Sequence, residues 1–252
     1  MIYRCLIFLL LLMPEVGTSQ TDYSAGGATA AMDAVDPLRA AAMADSLEAT
    51  GIVSPELYLL QGNAHFAAGH TGRAILAYER GLRLQPAHSD LQNNLAFVRE
   101  QARIEDATVG QFFLVDFWNR AGAALGTTLA YSLSLLFWWL AVAGALWWYL
   151  RRTAMDERKR FALLPAATLC AVIALLLFAL GRSRTAYLGR ADEGVLLEAA
   201  TLRVAPTAGG SVEAQLPEGV RLYITDRVDR YIKIQLADGR SGYLEAESVG
   251  VI

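Results

Sequence analysis

The side chains that most often do chemistry are few here and scattered. Histidines stand at 65, 70 and 88, with no pairing at metal-ligand spacing, and turn or helix-surface positions account for them. Cys5 and Cys170 each lie inside an apolar run, so they form neither a disulfide framework nor a metal site. There is no phosphate-binding loop, paired-carboxylate setting or nucleophile–base signature. Ser54 and Ser89 read as helix caps instead. A net charge of −3 gives no support for nucleic-acid binding. The expectation is a protein that works by binding: not an enzyme, with no cofactor, no metal and no nucleic-acid partner.

The segments that must position any binding residues fall into three groups. Of the 252 residues 54% are apolar, and these concentrate near the N-terminus and between 121 and 180, the pattern of a membrane protein with soluble parts. Residues 1–19 carry one basic residue, Arg4, then an apolar run over 5–13. Such a run covers about 13 Å as helix, far short of the roughly 30 Å hydrocarbon core, so it reads as a signal peptide cut near Ser19.

An aromatic interfacial segment is expected at 109–126, with Phe112, Phe113, Phe117 and Trp118, and a first membrane helix at 127–150. Trp147, Trp148 and Tyr149 make an aromatic belt at its end, whereas Trp138 and Trp139 fall mid-membrane and should pack on another helix. RRTAMDERKR at 151–160 carries five cations in ten residues, a cytoplasmic signal, and 161–180 is a second uncharged span. Signal peptide and loop charge thus agree on two spans in a bacterial inner membrane with the flanking parts periplasmic. Arg182, Arg184 and Arg190, beyond the second span, point the other way.

Residues 25–108 are Ala-rich and helical in pattern. Asp36-Pro37, Ser54-Pro55 and the Ser89–Gln92 capping box mark helix starts, giving helices at about 37–49, 55–68, 72–84 and 89–103. Ala74, Ile75, Tyr78, Gly81 and Leu82 share one helix face; Tyr58, Gly62, His65 and Phe66 share another, with Gly62 and Ala74 small where helices approach closely. SPELYLLQGNAHFAAGHTGRAILAYERGLRLQP resembles the tetratricopeptide repeat: Tyr58, Gly62, Ala74, Tyr78, Gly81 and Pro86 fall on or near signature positions, while Gln61 and His65 replace apolar or aromatic residues. The resemblance implies a concave groove lined by Leu59, Asn63 and Phe66 from one repeat and Asn93, Asn94 and Phe97 from the next. Asn can hold a peptide backbone with both a donor and an acceptor, and it can equally well bond from helix to helix. Leu59 stands where carboxylate-clamping repeats carry Lys, which argues against a free carboxylate as ligand.

From 194 the pattern becomes β-branched and alternating, with five short strands expected and a hairpin turn at Asp238-Gly239. TLRVAPTAGG, LPEG and RYIKIQLADGRSGYL resemble the bacterial SH3 family over 192–252, which implies a small barrel. Tyr231 and Tyr243 stand where that family usually has Trp, and are candidate barrel-surface residues or simple packing. The expected fold is therefore a multi-domain membrane protein: an all-α tetratricopeptide array, a two-helix membrane hairpin and an all-β SH3-like barrel. That combination, with GRAILAYERGLRLQP and LQNNLAFVR, resembles the BatE-type family of the Bacteroides aerotolerance operon. The resemblance implies an inner-membrane scaffold whose partners are envelope proteins, among them von Willebrand A-domain Bat proteins and, indirectly, a MoxR-type ATPase. The alternative is a cell-wall sensor that binds peptidoglycan through the SH3-like part.

Overall fold

A computed structural model describes residues 36–104, 113–151, 153, 157–207 and 209–252. The expected signal peptide at 1–19, the segment 105–112 that includes the start of the interfacial stretch, and part of the 151–160 loop lie outside the described residues. Among those residues the chain forms seven α-helices and one seven-stranded antiparallel sheet.

Four helices come first: α1 (Pro37–Ala49), α2 (Pro55–Ala67), α3 (Thr71–Leu84) and α4 (Ser89–Gln101). Asp36 and Ser54 cap α1 and α2 by accepting from Arg39 N and Leu57 N, each with Pro at the first helical position. The cap of α4 is not the expected one. His88, held extended after the Pro86 turn, accepts from Leu91 N through Nδ1, while Ser89 is already helical and Gln92 donates to Pro86 O at 2.6 Å. Tyr78, Ile75, Leu91 and Val98 form the buried centre of this unit. Gly62 makes room for Tyr78, since a Cβ there would stand 2.3 Å from the tyrosine Cε1.

Next come α5 (Phe113–Leu125), α6 (Thr127–Arg151) and α7 (Glu157–Leu188). Two helices, over Thr127–Arg151 and Phe161–Leu188, are long and apolar enough to cross a membrane. They meet along small residues: Ala130, Ser134 and Ala141 on α6 and Ala167 and Ala174 on α7 are buried, and Ser134 Oγ donates to Ala174 O at 2.9 Å. Trp138 and Trp139 instead face outward, 48% and 60% exposed, so among the described residues no helix covers them. The 32 residues of α7 make a rod of roughly 48 Å, longer than a hydrocarbon core. The helix therefore runs past the expected span end at 180 and carries Arg182 and Arg184 beyond it.

The strands are β1 (Glu193–Leu196), β2 (Ala200–Arg203), β3 (Val212–Leu216), β4 (Arg221–Val228), β5 (Tyr231–Gln235), β6 (Ser241–Glu245) and β7 (Val249–Val251), in the order β3-β2-β6-β5-β4-β1-β7. The expected closed barrel is corrected: the ladder ends at β3 and β7, which do not pair with each other, so the sheet is open. It curves over a core of Leu196, Leu202, Leu222, Ile234 and Leu244, aided by a register shift in β4 between Ile224 and Asp226.

The contact at Gly62 sets one expected outcome. Gly62→Leu should destabilise the α2–α3 pair by about 1–3 kcal/mol through overpacking against Tyr78. A lowered thermal midpoint of the detergent-solubilised chain, read by circular dichroism, checks it; an unchanged midpoint contradicts it.

Candidate functional site

Helix α3 is gripped from two sides. At its start, Gly72 lies against the end of β1, where a Cβ would stand 2.5 Å from both Leu196 O and Leu197 O, and Gly72 N donates to the Glu218 carboxylate at 3.2 Å. A carboxylate at a helix N-terminus satisfies free N–H groups and favours the helix dipole. Further along, Arg80 donates to Val251 O through Nε and Nη2, and to Glu48 through Nη1.

At the other end α3 meets α7, and the two helices exchange arginines. Arg184 Nη2 donates to Arg83 O at 2.8 Å and Leu84 O at 2.6 Å, the unpaired carbonyls that end α3. Arg83 Nη2 donates in return to Tyr187 O and Arg190 O, both at 2.6 Å, where α7 ends, and its Nη1 reaches Ile252 O. Each guanidinium thus serves the negative end of the other helix. The Tyr187 ring lies 5.2 Å from the Arg83 guanidinium and 5.5 Å from that of Arg184, close enough for cation–π attraction to both. Arg184 is only 6% exposed. The sequence pattern placed this residue as a dissenting topology signal; its structural work is to bind the helical unit to the α6–α7 hairpin.

The opposite side of the helical unit carries the expected groove residues. Leu59, Asn63, Phe66, Asn94 and Phe97 come together there, and Asn93 stands exposed beside them. Asn63 Oδ1 accepts from Tyr78 Oη and from Asn94 Nδ2, both at 2.8 Å. Burial pushes the Tyr78 phenol up to about 12, so it remains a donor near neutral pH. Asn63 and Asn94 therefore bond between helices, the second of the two roles open to them from sequence. Phe66 and Phe97 meet edge to face, with centroids 5.9 Å apart, and Phe97 is 57% exposed. Of the two roles open to the sheet tyrosines, packing holds for Tyr231. Tyr231 is buried, 4% exposed, although it stands on the face of β5 opposite the core residues Ile232 and Ile234; Tyr243, on that same face of β6, is half-buried.

A polar network that sequence reasoning missed joins α1 to α2. Gln61 Nε2 donates to Asp45 Oδ1 at 2.7 Å and Glu48 Oε2 at 3.0 Å, and His65 Nε2 lies 3.0 Å from Asp45 Oδ1. Gln61 and His65 are the two departures from the repeat pattern, and both face acids spaced three apart on α1. That pairing was the available signal. Burial opposes ionisation of Asp45, but bonds from His65 and Gln61 and the charges of His65 and Arg73 outweigh it and hold the carboxyl below its ordinary value. The network borders a shallow cleft of about 210 Å³ that Arg73, Arg80 and Leu197 also line. No group of three or more metal-ligating side chains occurs among the described residues.

Two outcomes follow from these contacts. Arg184→Ala leaves the buried carbonyls of Arg83 and Leu84 without their donor, which costs about 1–3 kcal/mol per group. Amide exchange in the solubilised full chain should rise at 81–88 and at the end of α7, with α6 against α7 still protected. As for pH, the folded Asp45 carboxyl titrates below the ordinary 3.8. Its contribution is therefore present above that value and lost as pH falls through the lower, folded one. Protection of the α1–α2 contact should hold from pH 7 to 5 and fall below pH 4, and Asp45→Asn should flatten that dependence.

No family model matches the chain, and no curated protein or solved structure is similar to it; the functional reading rests on the geometry above.

Proposed function

We propose that this chain is a non-enzymatic scaffold of a bacterial inner membrane, with a tetratricopeptide-like helical unit and an SH3-like sheet held together on the periplasmic side. The single observation that carries the reading is the placement of α3. Its contacts with β1, β7 and α7 hold the unit against both the sheet and the membrane helix, and the Leu59–Phe66 and Asn93–Phe97 surface stays open on the far side. A helix pair anchored this way presents one face at a fixed orientation to the bilayer, which suits capture of membrane neighbours. In the BatE-type setting those neighbours are von Willebrand A-domain membrane proteins, and through them a MoxR-type ATPase. Peptidoglycan recognition by the sheet is the weaker reading, since of its two candidate tyrosines Tyr231 is buried and Tyr243 is half-buried.

Orientation is tested with fusions. Alkaline phosphatase joined after Ile252 should be active and a cytoplasm-dependent reporter inserted at Met155 should be active; a silent phosphatase overturns the periplasmic placement. The groove is tested with Phe97→Ser, an exposed change that leaves Tyr78, Asn63 and Asn94 in place. Cross-linked partners recovered from native membranes should fall about tenfold at an unchanged thermal midpoint. Full recovery of every partner would remove the groove from the account.

A further inference from the structure

The open face carries a repeated pattern that names its partner more closely. Glu56, Leu59, Asn63 and Phe66 follow one another on α2 at intervals of three, four and three. Asp90, Asn93, Phe97 and Glu100 do so on α4 at the same intervals. Such spacing puts each set on one helix stripe. Contacts of Asn63 with Asn94 and of Phe66 with Phe97 advance in the same direction along both helices, so the stripes run parallel and side by side.

The aromatic pair lies toward the C-terminal ends of both helices, with the Asn63–Asn94 pair one turn before it and Glu100 one turn beyond Phe97. Glu56, Asp90 and Glu100 are exposed, and none of them forms an ion pair among the described residues. The one cation on these two helices, Arg99, turns away to bind Glu79. Glu56 and Asp90 lie in the first turns of their helices, where an acid favours the dipole. Glu100 lies in the last turn of α4, where the same dipole disfavours it, so helix stability gives no reason for it.

We propose that this face binds an extended, basic segment of another protein, with Lys or Arg side chains against Glu56, Asp90 and Glu100 and an apolar residue against Phe66 and Phe97. The charges meet their complement, and a cation over the exposed Phe97 ring gains a further attraction. Arg151 ends α6 at the opposite end of the antiparallel α6–α7 pair from Arg184, so the cations that follow it in sequence begin away from the helical unit. This inference rests on the groove reading above and adds the charge of the occupant.

The test uses the full chain in its native membranes with Phe97→p-benzoylphenylalanine, photo-cross-linked, and the attached segment sequenced by mass spectrometry. The expected segment is net positive, with at least two Lys or Arg within six residues of the cross-link. Glu56→Lys, Asp90→Lys and Glu100→Lys together should reduce that product at least tenfold while circular dichroism stays unchanged, and 0.5 M salt should reduce it severalfold. Neutral or acidic segments at the cross-link, or a yield indifferent to the three reversals, overturn the basic partner and leave the groove standing. No cross-link from position 97, with the fold intact, overturns the groove and this inference together.

Discussion

The arrangement depends on two arginines that finish each other's helices. A helix end leaves carbonyls without donors, and burying such an end is costly unless something supplies them. Here Arg184 supplies them for α3 and Arg83 supplies them for α7, with Tyr187 beside both guanidiniums. A guanidinium suits this task because its planar fork reaches two carbonyls at once and stays charged in a partly buried place. Lys, with one strongly hydrated point charge, would not replace it. The helical unit, the sheet and the long apolar helix α7 are thereby joined at one point, with the main chain of Ile252 brought in through Arg83.

Other contacts extend the junction. Glu79 binds Arg99 on α4 and lies 3.6 Å from Arg221 on β4, which also holds Glu193 at 2.5 Å. Gly250 leaves space for Leu76, since a Cβ there would stand 2.3 Å from the leucine Cδ2. Helix α3 thus has one face in the helical core and the other against the sheet. With α3 committed on both faces, the neighbouring α2 and α4 are the elements that keep a surface for partners. That is why the position of the candidate site follows from the junction rather than from the groove residues themselves.

Much of this was legible in the sequence, and the losses have physical causes. Asp36-Pro37 and Ser54-Pro55 are local signals, and the helices began where they said. The spans were equally plain, because an uncharged run of that length has few other uses. What failed depended on distant partners. Asn63 and Asn94 look alike as ligand groups or as helix links until Tyr78 is seen to share the same oxygen. Arg184 reads as a loop charge until the end of α3 is placed beside it. The stretch 195–204 reads as one strand but holds two, β1 and β2, parted at 197–199, and β7 is only three residues long, too short for alternation to show; with these the sheet goes from five expected strands to seven. Tyr231 stayed open between surface and packing because strand alternation gives two faces but does not say which stretch of each is covered.

The central claim is that the helical unit is fixed to α7, the second candidate span, not merely tethered to it. It is tested most directly by electron–electron double resonance in lipid nanodiscs, with nitroxides on Ala96→Cys in α4 and Ala186→Cys at the end of α7, and both Cys5 and Cys170 replaced by Ala. The account predicts a single narrow distance distribution, unchanged between detergent and bilayer. A broad or multiple distribution would contradict it, because a hinge between α3 and α7 would then carry the unit in many orientations.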